Sequence, residues 1–345
     1  MYIAVWIAIL IIAICFSFFN SSTHLFVFTC VVYALYYFAS WSYKEGSRSW
    51  SWLRSLRVWN VIRLRWFTHH VHQGNQWKDF ERAGDTFLFV VHPAGYGIST
   101  FLTFGAHGPN NSAIRKLQPL IAMPRAFFYV PGLTDLIQWF GGIIHSHDAM
   151  AAALTNHRSV VWSPGGPMNH SSYFPVDQEE QQQQDQSAIK HMEEGALDNE
   201  DLFVWIANHG KGCNLYVVPV IHFGEEHAYR NHTGTVGSKW WPLGMLQTWC
   251  WHRFQYEFPL VLSGWMKSII PARCRLTTIV GPPIATTTTS PQMPGKKLQK
   301  TPAKLKEEFL LRYREIHAVT TNIIQSSASS SLPIQQRNEQ EAGVE

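Results

Sequence analysis

A chain of 345 residues that is 46% hydrophobic and 14% aromatic is long enough for one large domain or two modest ones. Its formal charge of +4 at pH 7 suits an anionic surface or ligand and excludes the dense basic stripe of a nucleic-acid binder. Five cysteines with no CxxC pair and no framework spacing exclude a disulfide scaffold and read as reduced thiols.

Residues 1 to 19 carry no charge and approach the ~20 residues that a spanning helix needs. A polar break, "NSSTH", follows, and residues 25 to 41 are again uncharged. A cleaved signal peptide competes for the first segment, but there is no basic n-region and the apolar stretch is long for a signal core. Lys44, Arg48, Arg54, Arg57, Arg63 and Arg65 then stand against Glu45 alone, so the positive-inside rule places this flank in the cytosol. The expectation is a membrane hairpin that either crosses twice or enters and returns, with the bulk of the chain cytosolic.

In residues 47 to 67, Trp52, Leu56, Trp59, Ile62 and Trp66 recur at spacings of three and four. This predicts one amphipathic helix with its aromatic face in the lipid headgroup layer and Arg54, Arg57 and Arg65 on the other side. An ordinary core-facing helix is the alternative. From residue 85 the texture alternates. Strands are predicted over 85–91, 158–166, 215–226 and 275–284, and helices over 132–143, 147–157 and 201–210. The class is therefore α/β, a mixed sheet with helices packed on it. Residues 171 to 200 read as a polar, acidic, solvated insertion and 286–302 as a loop. An amphipathic helix over 303–324 precedes a Ser/Gln/Glu-rich tail expected to be disordered. The expected layout is a hairpin over 1–41, a basic and aromatic helix with linker over 42–80, the α/β domain over 81–324, and a tail over 325–345.

"FLFVVHPAGYGIST", residues 87 to 100, ends an apolar run at His92 and Pro93 and turns through two glycines. An imidazole with a pKa near 6.5, held at the mouth of a buried strand, suits a general base taking a proton from an alcohol. A satisfied structural histidine is the plainer reading of that stretch alone. "SPGG" (163–166), "VVPVIHFGEEHAY" (217–229) and "TTIVGPPI" (277–284) follow in order. "HHVH" (69–72) and "HSHD" (145–148) have no third and fourth ligand at a usual spacing, so no metal site is expected. Lys296, Lys297 and Lys300 read as a solvated loop, with CoA phosphates or lipid headgroups as the alternative contact.

Taken in order and with the amino-terminal hairpin, these stretches resemble the type 2 diacylglycerol acyltransferase family, which includes monoacylglycerol and wax-ester-forming relatives. The matching residues are His92-Pro93-Ala94-Gly95, Gly165-Gly166, Val218-Pro219 with Phe223-Gly224-Glu225, and Val280-Gly281-Pro282-Pro283-Ile284. "MPRAFFYVPGLTDLIQWFGGI" matches a further region, and the resemblance covers most of the chain outside the acidic insertion.

The resemblance implies an acyltransferase-like domain that moves a fatty acyl group from acyl-CoA to the hydroxyl of a neutral lipid, most simply diacylglycerol to triacylglycerol. It implies His92 as base and Glu225 as a second catalytic-site residue that orients a histidine. Pro93, Gly95, Gly165, Gly166, Phe223 and Gly224 shape the substrate site. Acyl-CoA is a co-substrate, and no resident cofactor or metal is implied. The implied partners are acyl-CoA, the neutral-lipid acceptor and membrane lipids. The implied place is the endoplasmic reticulum membrane, or a lipid droplet, and a homo-oligomer stays open.

The chain departs from the family at Ala94, where a second histidine stands, and at Asn169, where a glutamate stands. Glu200, Leu202 and Trp205 stand where the family has Arg, Gly and Lys. His170 and His222 are alternative imidazoles. Two readings follow: a working acyltransferase, or a catalytically impaired relative that binds lipid or scaffolds partners at the membrane.

Overall fold

In a computed structural model, the chain is described over residues 48–74, 77, 85–91, 97–106, 113–129, 132–163, 200–209, 214–225, 228, 230–231, 262–263, 271–289 and 297–330, together with residue 31. The expected hairpin at 1–41 thus lies outside the described residues apart from residue 31. Among those described, no helix is long and apolar enough to cross a membrane.

The strands are β1 (His70–Gln73), β2 (Asp85–Val91), β3 (Leu120–Met123), β4 (Gly142–Ile144), β5 (Val160–Trp162), β6 (Asn214–Phe223), β7 (Arg230–Asn231), β8 (Leu262–Ser263), β9 (Thr277–Val280), β10 (Ile284–Ala285), β11 (Thr287–Thr289) and β12 (Lys297–Gln299). The helices are α1 (Ser51–Arg54), α2 (Arg57–Val61), α3 (Ile98–Thr100), α4 (Ala113–Leu117), α5 (Leu133–Trp139), α6 (His147–Thr155), α7 (Glu200–His209) and α8 (Pro302–Ser330). Wide π-turns extend α2 over Ile62–Trp66 and α3 over Phe101–Gly105.

The uninterrupted apolar run of β2 suits a strand covered on both faces. Phe87, Phe89 and Val91 enter one core with Trp77, Phe104 and Ile114, and Leu88 and Val90 enter the other with Trp162, Phe203 and Phe309. The sheet runs β1-β9-β6-β2-β5-β3-β4, and β10 pairs with β6. From β6 to β4 every neighbouring pair is parallel, whereas β9 runs antiparallel to β6. This is the mixed sheet that the sequence implies. Helices α6, α7 and α8 supply Met150, Leu154, Phe203, Ile206, Leu305 and Phe309 to one face. On the other, the buried Trp77 stacks on Phe89 and donates its indole N–H to the Gly281 carbonyl at 3.1 Å.

Several elements differ from the sequence expectation. "GII" at 142–144 is strand β4, although its apolar pattern continues that of α5. Residues 286–302 hold the hairpin β11–β12, and α8 continues to Ser330, beyond the end expected at 324. Residues 47 to 67 do not make one helix: α1 and α2 break at Ser55 and Leu56.

The predicted faces of that segment are also corrected. Arg54, expected on the side away from the aromatic face, is fully buried, and Arg63 is nearly so. Trp59 turns inward, meeting Phe101 and Phe140 edge-on at 5.7 and 5.2 Å. The exposed apolar residues are Trp50, Trp52, Val58, Val61 and Leu64, with Arg57 and Arg65 exposed beside them. Burying the broad flat indole of Trp59 against two phenylalanines removes more apolar surface than burying Val61 would, and this sets the rotation.

Candidate active site at the carboxyl edge of the sheet

Because β2, β5 and β6 are adjacent and parallel, their carboxyl ends meet at one edge, where α/β sheets place their ligands. The turn with His92, Pro93 and Gly95 follows β2, and the turn with Gly165 and Gly166 follows β5. These five residues lie outside the described residues, as do Ala94, Asn169 and His170. The residues on both sides of the first stretch and those just before the second are described.

Ser163, first residue after β5, donates its hydroxyl to the carbonyl of Val91, last residue of β2, at 3.3 Å. That bond ties the roots of the two turns together. Glu225, two residues past β6, is buried and reaches the far side of the β2 turn. Its carboxyl oxygens accept the backbone N–H of Gly97 at 3.1 Å and that of Ser99. The first amides of a helix have no partner within it, and a carboxylate there satisfies them and complements the helix dipole.

Gly224 makes this reach possible. It sits at φ +91°, and a Cβ on it would stand 2.0 Å from the carbonyl oxygen of Arg275. Only glycine lets the chain leave β6 past Arg275 and turn Glu225 toward the helix. Phe223, half-buried, packs on the main core. The Phe-Gly-Glu stretch therefore works as an anchor, a pivot and a cap, and Glu225 acts on the β2 turn through the helix behind it.

The other end of that helix meets a cation. Arg54 donates to the carbonyls of Phe104 at 2.7 Å, Gly105 at 3.0 Å and Pro119 at 2.9 Å. Burial, and then the charge of Arg158, lowers its pKa to about 10, which still leaves it a cation at neutral pH. The helix from Ile98 to Gly105 thus has a carboxyl group at its amino end and a guanidinium at its carboxyl end.

His222 is described in full. It is buried, with Nε2 at 3.0 Å from the Thr100 hydroxyl and Nδ1 at 2.9 Å from the Thr278 hydroxyl. Burial lowers its pKa to about 3. A ring closed from solvent with both nitrogens engaged is not a base open to a substrate, so His222 does not replace His92. The paired histidine stretches are likewise occupied. His69 bonds Thr278 through Nε2 at 2.8 Å, and His145 accepts the Trp162 indole N–H at 2.6 Å. Lys300 pairs with Glu308 at 2.5 Å. No group of three or more metal-ligating side chains occurs among the described residues.

Trp205, standing where the family has a lysine, is buried between rings. It stacks on His147 at 5.4 Å, meets Trp162 edge-on at 5.8 Å and lies 4.7 Å from His209. An aromatic and imidazole wall therefore stands where the family has that lysine. Sequence reasoning passed over Ser163, Thr100, Thr278 and Arg54. The position of Ser163 in "SPGG" was a usable signal, whereas nothing in the pattern around Arg54 marks it as buried.

A mixed sheet with helices on both faces, and a carboxyl-capped helix at the carboxyl edge of its parallel strands, defines an α/β protein. The particular family follows from comparison: the diacylglycerol acyltransferase family matches residues 16–309, and the chain belongs to it. No curated protein sequence matches. Among solved structures the chain is similar to the 1-acyl-sn-glycerophosphate (LPA) acyltransferase PlsC of Thermotoga maritima. The two share 10% identity and a TM-score of 0.36, over 76% of this chain and 77% of that one.

Proposed function

We propose that this chain is an acyl-CoA-dependent O-acyltransferase that makes neutral lipid, most simply triacylglycerol from diacylglycerol, at the endoplasmic reticulum membrane or on lipid droplets. The observation that carries the reading is the double fastening of the β2 turn in a member of this family: Ser163 on Val91 before it, and Glu225 on Gly97 and Ser99 after it. In this reading His92 takes the acceptor's hydroxyl proton as the oxygen attacks the thioester carbonyl. Backbone N–H groups of the glycine turns receive the oxyanion, and the CoA thiolate leaves and recovers the proton. Direct transfer consumes no resident metal or redox cofactor. The uncharged stretches at 1–19 and 25–41, and the exposed apolar ridge with Arg57 and Arg65, support a bilayer as the place where the acceptor is met.

Ala94 and Asn169 favour a second reading, a catalytically silent relative that holds lipid at the same membrane. Losing one general acid–base group typically lowers a rate ~10²–10⁴-fold. The test is expression in cells stripped of neutral-lipid acyltransferases, with labelled fatty acid and chromatography of the lipids, beside His92→Ala. Product from the native chain and none from the variant is expected. Product that persists in the variant removes His92 from its role, and no product from either chain, with both present on membranes, favours the silent relative. Restoring Ala94→His with Asn169→Glu gauges how far the native chain has drifted from catalysis.

A further inference from the structure

We infer that His222 is a positioning residue for the candidate site: its neutral imidazole ties the helix after the His92 turn to the sheet, by a bond from Nε2–H to the Thr100 hydroxyl. The inference rests on the acyltransferase reading for its effect on rate, although the tether stands on geometry alone.

His222 lies directly across from Thr278 in the antiparallel β6–β9 pair. The two side chains point to the face covered by the helix of Thr100 and Thr103. Three groups converge on one hydroxyl, because Thr278 Oγ1 lies 2.9 Å from His222 Nδ1, 2.8 Å from His69 Nε2 and 3.4 Å from the Thr103 hydroxyl that donates to it. All these residues except Thr100 are buried.

The network has one self-consistent set of protons. His69 Nδ1 is buried with no hydrogen-bond partner. An orphaned lone pair there is less costly than an orphaned N–H, which assigns the proton of His69 to Nε2, as donor to Thr278. Thr278 accepts from His69 and Thr103, and so its single hydrogen goes to His222 Nδ1. The remaining proton of His222 is then on Nε2 and is donated to Thr100. Every link from His69 outward is directed toward the site helix. That helix is already capped by Glu225 at Gly97 and Ser99, so His222 grips it one residue further on. Burial lowers the pKa of His69 to about 3, with His222 and then Arg63 and His70 adding to the effect, and this keeps the network neutral.

The test separates the two nitrogens. In His222→Gln the side-chain amide N–H takes the place of Nε2–H and keeps Thr100. In His222→Asn the shorter amide oxygen takes the place of Nδ1 and keeps Thr278 while releasing Thr100. Both variants exchange an imidazole for an amide in the same buried space, so a similar fall in melting temperature is expected from each.

Hydrogen exchange of the amides from Gly97 to Ala106 is expected to quicken about tenfold in His222→Asn and in Thr100→Val, and to stay near native in His222→Gln. Acyl transfer follows the same split, with kcat lowered about tenfold in the first two, KM for acyl-CoA unchanged, and no further loss when Thr100→Val and His222→Asn are combined. Equal exchange and equal kcat in the Gln and Asn variants would overturn the inference. The exchange pattern appearing in a native protein that makes no product would support the tether and remove the acyltransferase reading. If His222→Gln does not fold, Thr100→Val alone decides: an unchanged exchange rate in it overturns the tether.

Discussion

Gly224 is the residue on which most of the site geometry turns. Its φ of +91° disfavours any side chain, and the Arg275 carbonyl occupies the space a Cβ would need. Gly224→Ala is expected to lose about 3 kcal/mol or more, by strain and overpacking together, read as a lowered unfolding midpoint in detergent micelles. Glu225→Gln keeps the shape but sets an amide N–H₂ against one of two backbone N–H groups. A loss of about 2 kcal/mol is expected, with acyl transfer falling alongside because the far side of the β2 turn loosens. His69 and His222 give a pH signature. Burial lowers both pKa values from 6.5 to about 3, so the native state keeps them neutral while the unfolded chain takes up protons below 6.5. Their stability is complete above pH 6.5 and is lost as the pH falls toward 3, by about 1.4 kcal/mol per pH unit for each ring. Between pH 6.5 and 5 the pair is expected to remove about 3 kcal/mol, and His222→Gln to halve that loss in melting curves taken across the range. A flat profile in the native chain would show that the rings are open to protons in the fold.

The helix from Ile98 to Gly105 is the element that joins these effects. It is short, widens into π-turns and includes the β-branched Thr100 and Thr103, so its stability comes from what holds its ends. Arg54→Ala removes the donors of three carbonyls at once and is expected to lose about 3–5 kcal/mol. Arg54→Lys is expected to recover only a fraction, because one ammonium cannot reproduce the planar fork; unfolding midpoints of both variants check this. The same elements mark what was legible in the sequence. β2 and β6 announce themselves as unbroken apolar runs, which only buried strands of this length use. β3 and β4 have four and three residues, too few for a period to show, so β4 merges with the pattern of α5, whereas the equally short β5 lies within the strand expected over 158–166. β1, "HVHQ", exposes alternate residues because it lies at the sheet's edge, and its polar histidines and glutamine hide the strand. The Phe-Gly-Glu stretch was visible, but the need for glycine was not, since Arg275 meets it only in the fold. His222 and Thr278 are neighbours only through the β6–β9 register, which no local pattern encodes.

At the scale of the whole molecule, the segment from Arg48 to Trp66 is bolted to the α/β domain. Arg48 pairs with the buried Asp135 at 3.0 Å, Trp50 stacks on Trp139 at 4.6 Å, and Arg54 grips the site helix. The side left outward carries Trp52 at 67% exposure, Leu64 at 55% and Val61 at 52%, with Arg57 and Arg65 beside them. Large apolar groups flanked by arginines suit the boundary between acyl chains and lipid phosphates. The uncharged stretch at 25–41 ends a few residues before this ridge, so a bilayer held by that stretch would lie against it. The site helix links the two regions: its carboxyl end touches Arg54, in the ridge-bearing segment, and its amino end adjoins the β2 turn. Eight residues of helix span roughly 12 Å. We therefore expect bimane-labelled Val61→Cys and Leu64→Cys, in a cysteine-free background reconstituted in phosphatidylcholine vesicles with a fraction of anionic lipid, to shift to the blue and be quenched by nitroxide-bearing lipid. Leu311→Cys on α8, 53% exposed and equally apolar in the native chain, is the control and is expected to stay unquenched. Quenching at Leu311 with none at Val61 and Leu64 would turn the other face of the protein to the lipid. Protein that floats with the vesicles while all three labels stay unquenched would mean that the ridge faces water and the amino-terminal stretches hold the membrane alone.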